Sequence, residues 1–172
     1  MLCKKCDLHK FRRLNGFSPF TKINNSNSKY GFIVFISEYP DSTEELFNLK
    51  FLSSHGKLLL TLLKRSFLIR YNWIFSSAVL CVPRQNFQHI KNPTKEELNL
   101  CYNNTFEFLK DKDIVYYVLI GKIAQSQFKT LKPHCCIPDL KAMLFAGGTS
   151  SSEYLSSLQK LKDLRSKLYG KP

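Results

Sequence analysis

The residues whose type and spacing could do chemistry are first of all the cysteines. Cys3-x-x-Cys6 allows two thiolates to bind one metal centre. Cys81, just past a predicted strand, and Cys101, inside the helix that follows, are the candidates to complete a set of four. Four thiolates suit either zinc or an iron–sulfur cluster. The second pair lacks the tight spacing of a zinc ribbon, which disfavours zinc. Cys135 and Cys136 are adjacent, so one at most could ligate, and small core residues are the expectation for both. The opening Met1-Leu2-Cys3-Lys4-Lys5-Cys6 carries charges where a signal peptide needs an apolar run. The longest apolar runs, such as Ile114 to Ile120, are far too short to span a bilayer. No membrane partner and no disulfide framework are therefore expected. The expected setting is intracellular: cytoplasm or nucleoid, or the host cytoplasm if the source is viral.

Charge supplies the second signal. Lys and Arg number 26 against 13 Asp and Glu, a net charge of +13. A single-sign excess of this size repels itself in the compact state, and it points to a polyanionic partner, most often nucleic acid. The chain has 172 residues, 44% of them hydrophobic, with 14 Phe, so one domain can bury a core without a metal or disulfide.

These residues need elements to position them. Residues 1–30 are basic and polar, ending in the loop-like Asn24-Asn25-Ser26-Asn27-Ser28. Gly31 to Ser37 reads as a buried strand, and Lys57 to Phe67 as a helix with Leu58, Leu59, Leu62 and Leu63 on one face. Trp73 to Leu80 is a second strand. Thr94 and Glu97 form a capping box opening a helix to about Lys110. Ile114 to Ile120 is a third strand, Ala124 to Lys129 a short helix, and Cys135 to Pro138 a short fourth strand. Ser150 and Glu153 read as another capping box, followed by an apolar stripe of Leu155, Leu158, Leu161, Leu164 and Leu168. Alternating strands and helices predict an α/β fold: three layers, α/β/α, around a short, mainly parallel four-stranded sheet. Ligands in such sheets sit at the carboxyl ends of the strands. The loops to inspect are Glu38 to Phe51, Cys81 to Pro93 and Asp139 to Gly148.

With those blocks in place, the chain resembles the family 4, iron–sulfur uracil-DNA glycosylases. CKKCDLHKFRR is similar to that family's opening C-x-x-C and basic stretch. ISEYPDSTEELFNLKFLSSHGKLLL lies without a gap on its first motif, GEAPG followed by acidic residues and PFVG-x-x-G-x-LL. SAVLCVPRQNFQHIKNPTKEELNLC resembles its block of NVVKC, a Pro-rich loop, P-x-x-x-E and a further Cys, with a loop a few residues longer. VLIGKIA resembles LLG-x-x-A, and the segment through Gly147-Gly148 resembles the HPS region. The match covers essentially the whole chain, so residues 1–172 are expected to form a single domain, with 1–30 a basic, cluster-binding extension.

The resemblance implies that Cys3, Cys6, Cys81 and Cys101 hold a 4Fe-4S cluster. It implies DNA, single- or double-stranded, as partner and a base flipped out of the stack into a pocket. Glu38 stands at the motif Glu, Phe51 at the Phe that stacks on uracil, and Tyr39 and Pro40 beside them in the base-binding motif. Three positions depart from the pattern. Asp41 replaces the glycine after Pro40; it crowds the pocket or takes a chemical role with Glu38. Ser77 replaces the Asn that reads the uracil edge, and a hydroxyl lacks the paired donor and acceptor of an amide. Asp139 takes the place of the HPS His, where an ionised carboxylate opposes charge on a departing base; His134 is the other candidate for that role.

Two functions follow. One is a DNA glycosylase that hydrolyses the N-glycosidic bond of a flipped uracil or modified base, with Glu38, Asp41 and Asp139 at the reacting centre. The other is a catalytically inactive homologue acting as a DNA- or protein-binding accessory factor, with a replication or repair protein as second partner. A monomer is expected in either case.

Overall fold

The computed structural model describes residues 6–11, 20–24, 31–47 and 53–169. Five strands form one sheet in the order β1-β3-β2-β4-β5. They are β1 (Thr21–Ile23), β2 (Phe32–Ser37), β3 (Asn72–Ser77), β4 (Ile114–Ile120) and β5 (His134–Ile137). β2, β3, β4 and β5 pair in parallel, and β1 pairs antiparallel with the outer edge of β3, Thr21 opposite Phe75 and Ile23 opposite Trp73. The sheet therefore has one strand more than the sequence suggests. The extra strand is three residues of polar-flanked sequence inside 1–30, and cross-strand pairing with β3 defines it rather than any hydrophobic period. Part of the N-terminal stretch thus belongs to the sheet.

The helices are α1 (Ser42–Phe47), α2 (Ser54–Arg65), α3 (Lys95–Leu109), α4 (Lys122–Phe128), α5 (Leu140–Phe145) and α6 (Ser152–Tyr169). Alternation along the strands builds two cores. Ile33, Phe35, Val118 and Ile120 face α2, α5 and α6, while Val34, Ile36 and Leu119 face α3 and α4. Both faces of the sheet are covered, which is why β2 and β4 read as continuous apolar runs. The predicted three-layer α/β/α fold is the one observed.

Local chemistry sets the helix ends. Thr94 accepts from the Glu97 amide at 3.2 Å and Glu97 Oε2 accepts from the Thr94 amide at 2.8 Å, the expected capping box. At α6 the cap is Ser151, one residue later than expected: its Oγ accepts the Tyr154 amide at 3.1 Å, while Ser150 closes a short 3-10 turn. Tyr154, Leu158, Leu161, Leu164 and Leu168 face the core, and Tyr154 rather than Leu155, which is 54% exposed, begins that stripe. Two segments read as loops contain short helices, α1 and α5. Each has six residues, too few to show a 3.6-residue period. Cys135 and Cys136 lie on β5 and pack toward opposite cores, and burial pushes the Cys135 thiol up to about 11, so it is inert. No helix among the described residues is long and apolar enough to cross a membrane.

Candidate active site

β2 is the first strand of the parallel set, and the chain then adds β3 on one side of it and β4 on the other. This reversal opens a crevice at the carboxyl ends of the strands. There lies a cavity of about 200 Å³, walled by the end of β2 and the turn after it, the ends of β3 and β4, the start of α2 and the start of α5. It is smaller than the roughly 300–1,000 Å³ of drug-sized sites, which suits a small ring. Glu38, Tyr39, Pro40, Asp41, Ser77 and Asp139 all line it. Phe51 lies outside the described residues. The Cys81 to Pro93 loop contributes nothing to the lining.

Glu38 leaves β2 toward β4. Its Oε1 accepts the Ile123 amide at 3.3 Å, in the first turn of α4. The carboxylate sits against Gly121, where a Cβ would come within 2.6 Å of Oε1 and 2.7 Å of Cγ. Gly121 also has φ +84°, so glycine is required there both for the turn and for the approach of Glu38. Tyr39 lines the cavity and packs against the cysteine-containing cluster, and its ring lies 5.7 Å beneath the Lys141 ammonium.

Asp41 is held on both oxygens. Oδ1 accepts the Thr43 amide at 2.8 Å and the Glu44 amide at 3.4 Å, which starts α1. Oδ2 lies 3.3 Å from His55 Nδ1. The His55 hydrogen bond, reinforced by the Thr43 amide, lowers its carboxyl to about 2. A carboxylate held that low is a weak proton acceptor.

At the β2–β3 junction, Ser77 and Ser37 are register partners, and their hydroxyls are 2.9 Å apart. Ser37 Oγ also donates to the Ser76 carbonyl at 3.4 Å. The Ser76 hydroxyl is buried without a hydrogen-bond partner among the described residues.

Asp139 is the N-cap of α5, with Oδ1 accepting from the Lys141 amide at 2.9 Å and the Ala142 amide at 3.2 Å. Its carboxylate thus organises the local backbone. Ile137, two residues upstream at the end of β5, is fully buried. His134 is not brought to the cavity. It starts β5, at the other end of the sheet, with Nδ1 bonded to the Leu131 carbonyl oxygen at 2.5 Å.

The sequence alone does not single out the polar cavity residues Ser37, Glu44, Ser53, His55, Ser76 and Lys141. A lone His or Ser carries no local signal; only the meeting of β2, α2 and α5 gives these a role. The same holds for Glu45 and Arg84, 39 residues apart, which form an ion pair at 2.5 Å with side chains 0% and 2% exposed. The pair ties α1 to the segment that follows β3.

Cys81 and Cys101 are buried in one cluster with Leu8, Val79 and Leu80, and Cys6 packs against it. The Leu80 amide donates to Cys101 Sγ at 3.4 Å. Among the described residues no three His, Cys, Asp or Glu side chains converge as a metal site, and Cys3 lies outside them. The donor set still fits a soft-ligand centre in kind: three thiols against one apolar cluster, with a backbone amide directed at sulfur.

The outer surface offers features suited to a polyanion. Lys160, Lys162 and Lys167 are exposed on α6. Phe145, at the far end of α5 from the cavity wall, is 90% exposed.

Two comparisons bear on this geometry. A sequence model described as the Uracil DNA glycosylase superfamily matches residues 24–166. The chain is 33% identical over 101 residues to a Type-4 uracil-DNA glycosylase of Archaeoglobus fulgidus, covering 59% of this chain and 45% of that protein. The aligned part thus spans less than half of the relative's length.

Proposed function

The chain belongs to the uracil DNA glycosylase superfamily, and from that premise we propose that it binds DNA, draws one base out of the stack into the cavity and hydrolyses its N-glycosidic bond. The observation that carries this reading is the seating of Glu38: a carboxylate oriented by the Ile123 amide, packed on Gly121, at the wall of a base-sized cavity. In the reaction the bond between C1′ and the base nitrogen breaks, and its electron pair leaves with the base. Water adds to C1′ while Glu38 accepts its proton. Tyr39, Pro40 and Phe51 flank the base, and Asp139 fixes the start of α5 beside it. Asp41 orients rather than accepts protons, since both its oxygens are engaged.

Base choice rests on Ser77 and Ser37. Their paired hydroxyls can each donate or accept, so they do not impose the fixed donor–acceptor pattern of an amide. This favours uracil or a modified base over strict reading of the uracil edge. Cys3, Cys6, Cys81 and Cys101 would hold a 4Fe-4S cluster, whose contribution would be structural, since Cys6 and the cavity residue Tyr39 both pack against Cys81 and Cys101. We take residues 1–172 as one monomeric domain acting on DNA.

The chromatographic release of free base from oligonucleotides carrying uracil, hypoxanthine, xanthine or oxidised pyrimidines tests the proposal. Release of at least one base is expected. Retention of every base by protein that binds the DNA supports the second reading, an inactive accessory factor, which the missing amide at Ser77 favours.

A further inference from the structure

Breaking a glycosidic bond leaves negative charge on the base, and a site that speeds the reaction must place positive charge or a proton there. The titratable groups around the cavity are Glu38, Tyr39, Asp41, Glu44, His55, Asp139 and Lys141. Four of the seven are carboxylates, so the wall is poor in the charge the reaction needs. Two side chains could supply positive charge. Lys141 lies over the Tyr39 ring, on the α5 side. His55 projects from the first turn of α2 with its side chain 25% exposed, enough to meet a ligand.

Resting on the glycosylase reading above, we propose that His55, oriented by Asp41, is the catalytic residue that neutralises the departing base. Nδ1 of the ring lies 3.3 Å from Asp41 Oδ2, which leaves Nε2 as the nitrogen available to a base. Asp41 is itself fixed by the Thr43 and Glu44 amides, so the ring is held by a carboxylate with little freedom. A carboxylate on one nitrogen of an imidazole fixes its tautomer and stabilises the imidazolium. The carboxylate remains ionised throughout the neutral range, being held near 2.

The step balances. The C1′–N bond breaks with its electron pair going to the base. The imidazolium gives its Nε2 proton to the base. Water oxygen bonds to C1′ and Glu38 takes one water proton. Proton return from Glu38 to solvent, and from solvent to His55, resets the site, and the net change is the glycoside plus water giving the free base and an abasic sugar. The catalytically required forms are thus an ionised Glu38 and a protonated His55. The titratable groups that share the cavity with His55 are Glu38 and Tyr39 after β2, Asp41 and Glu44 at α1, and Asp139 and Lys141 at α5.

Single-turnover abasic-site formation, followed from acid to mildly alkaline pH, tests this. His55→Gln should lower the rate by about 10²–10⁴-fold, the usual range for a proton donor, and abolish the alkaline fall in rate. It should leave DNA binding unchanged. Asp41→Asn can still cap α1 but loses the charge, so the alkaline fall should move to lower pH. His55→Lys, which keeps a positive charge, should recover part of the rate. A His55→Gln protein with the wild-type rate and pH profile overturns the inference and leaves the glycosylase reading standing. Should His55→Gln fail to fold by circular dichroism, an unmoved alkaline limb in Asp41→Asn overturns it instead. A wild-type protein that releases no base at all overturns the underlying reading, and the inference with it.

Discussion

Replacing Arg84 by Met should destabilise the fold more than any single surface change, because it strands a carboxylate. Arg84 Nη1 reaches Glu45 Oε2 at 2.5 Å, and the two side chains are 2% and 0% exposed. Glu45 Oε1 has no hydrogen-bond partner among the described residues, so the guanidinium is the main compensation for that buried charge. Removing one partner of a buried pair costs about 3–5 kcal/mol, out of a total stability of about 5–15 kcal/mol for a domain. In a chain of this size each kcal/mol moves the melting temperature by about 2–4 °C, so Arg84→Met should melt roughly 6–20 °C below wild type. The double variant Glu45→Leu with Arg84→Met removes both charges and keeps similar volume, and most of the stability should return. Thermal melts followed by circular dichroism, with a double-mutant cycle, measure both effects. A destabilisation under about 1 kcal/mol for Arg84→Met, the size of an exposed pair, or a double variant no better than the worse single one, would refute the reasoning.

Gly121→Ala forces a Cβ to within 2.6 Å of Glu38 Oε1 at φ +84°, ψ 164°, so base release should fall sharply, with a loss of stability of about 1–3 kcal/mol from this glycine-only backbone region alone. Near-wild-type activity would mean that Glu38 does not need its seat. DNA binding should weaken steeply with salt, and charge reversal at Lys160, Lys162 and Lys167 should reduce the slope of log affinity against log salt by about 0.9 for each phosphate no longer neutralised; a slope near zero in wild type would contradict a phosphate-led interface. Anaerobically purified protein should carry about four irons per chain, absent from Cys81→Ser and kept in Cys135→Ser; stoichiometric zinc without iron would reverse the assignment. Asp41 contributes stability that is fully present above the unfolded carboxyl range near 4 and is lost as pH falls toward its folded value of about 2. Asp41→Asn should therefore flatten the acid limb of a stability–pH curve between those limits.

Much of the frame was legible because the sheet is buried on both faces. The β-branched and aromatic run of β2 and the Ile114–Ile120 run of β4 can be little else in a chain of alternating elements. Thr94 and Glu97 announced α3 because a capping box is local in sequence. What stayed hidden depends on distant partners. β1 exists because Thr21–Ile23 meets the free edge of β3. α5 exists because Asp139 caps it, which also changes what that carboxylate can do. Ser151 rather than Ser150 caps α6, and Tyr154 rather than Leu155 joins its apolar face. Within the site, Glu38 through Asp41 of the first motif line the cavity, since the end of a strand at a sheet reversal fixes the next few residues. His55 and Ser37 needed the third dimension, being distinguished only by what α2 and β3 set opposite them.

The central claim is that Glu38, seated on Gly121, activates water against a flipped base. Its most direct test is alkali-labile strand cleavage of single-stranded uracil DNA by wild type and Glu38→Gln, with binding of the same strand measured in parallel. Cleavage by wild type is expected, with a rate about 10²–10⁴-fold lower for Glu38→Gln at unchanged affinity. Equal cleavage by the two proteins would contradict the claim.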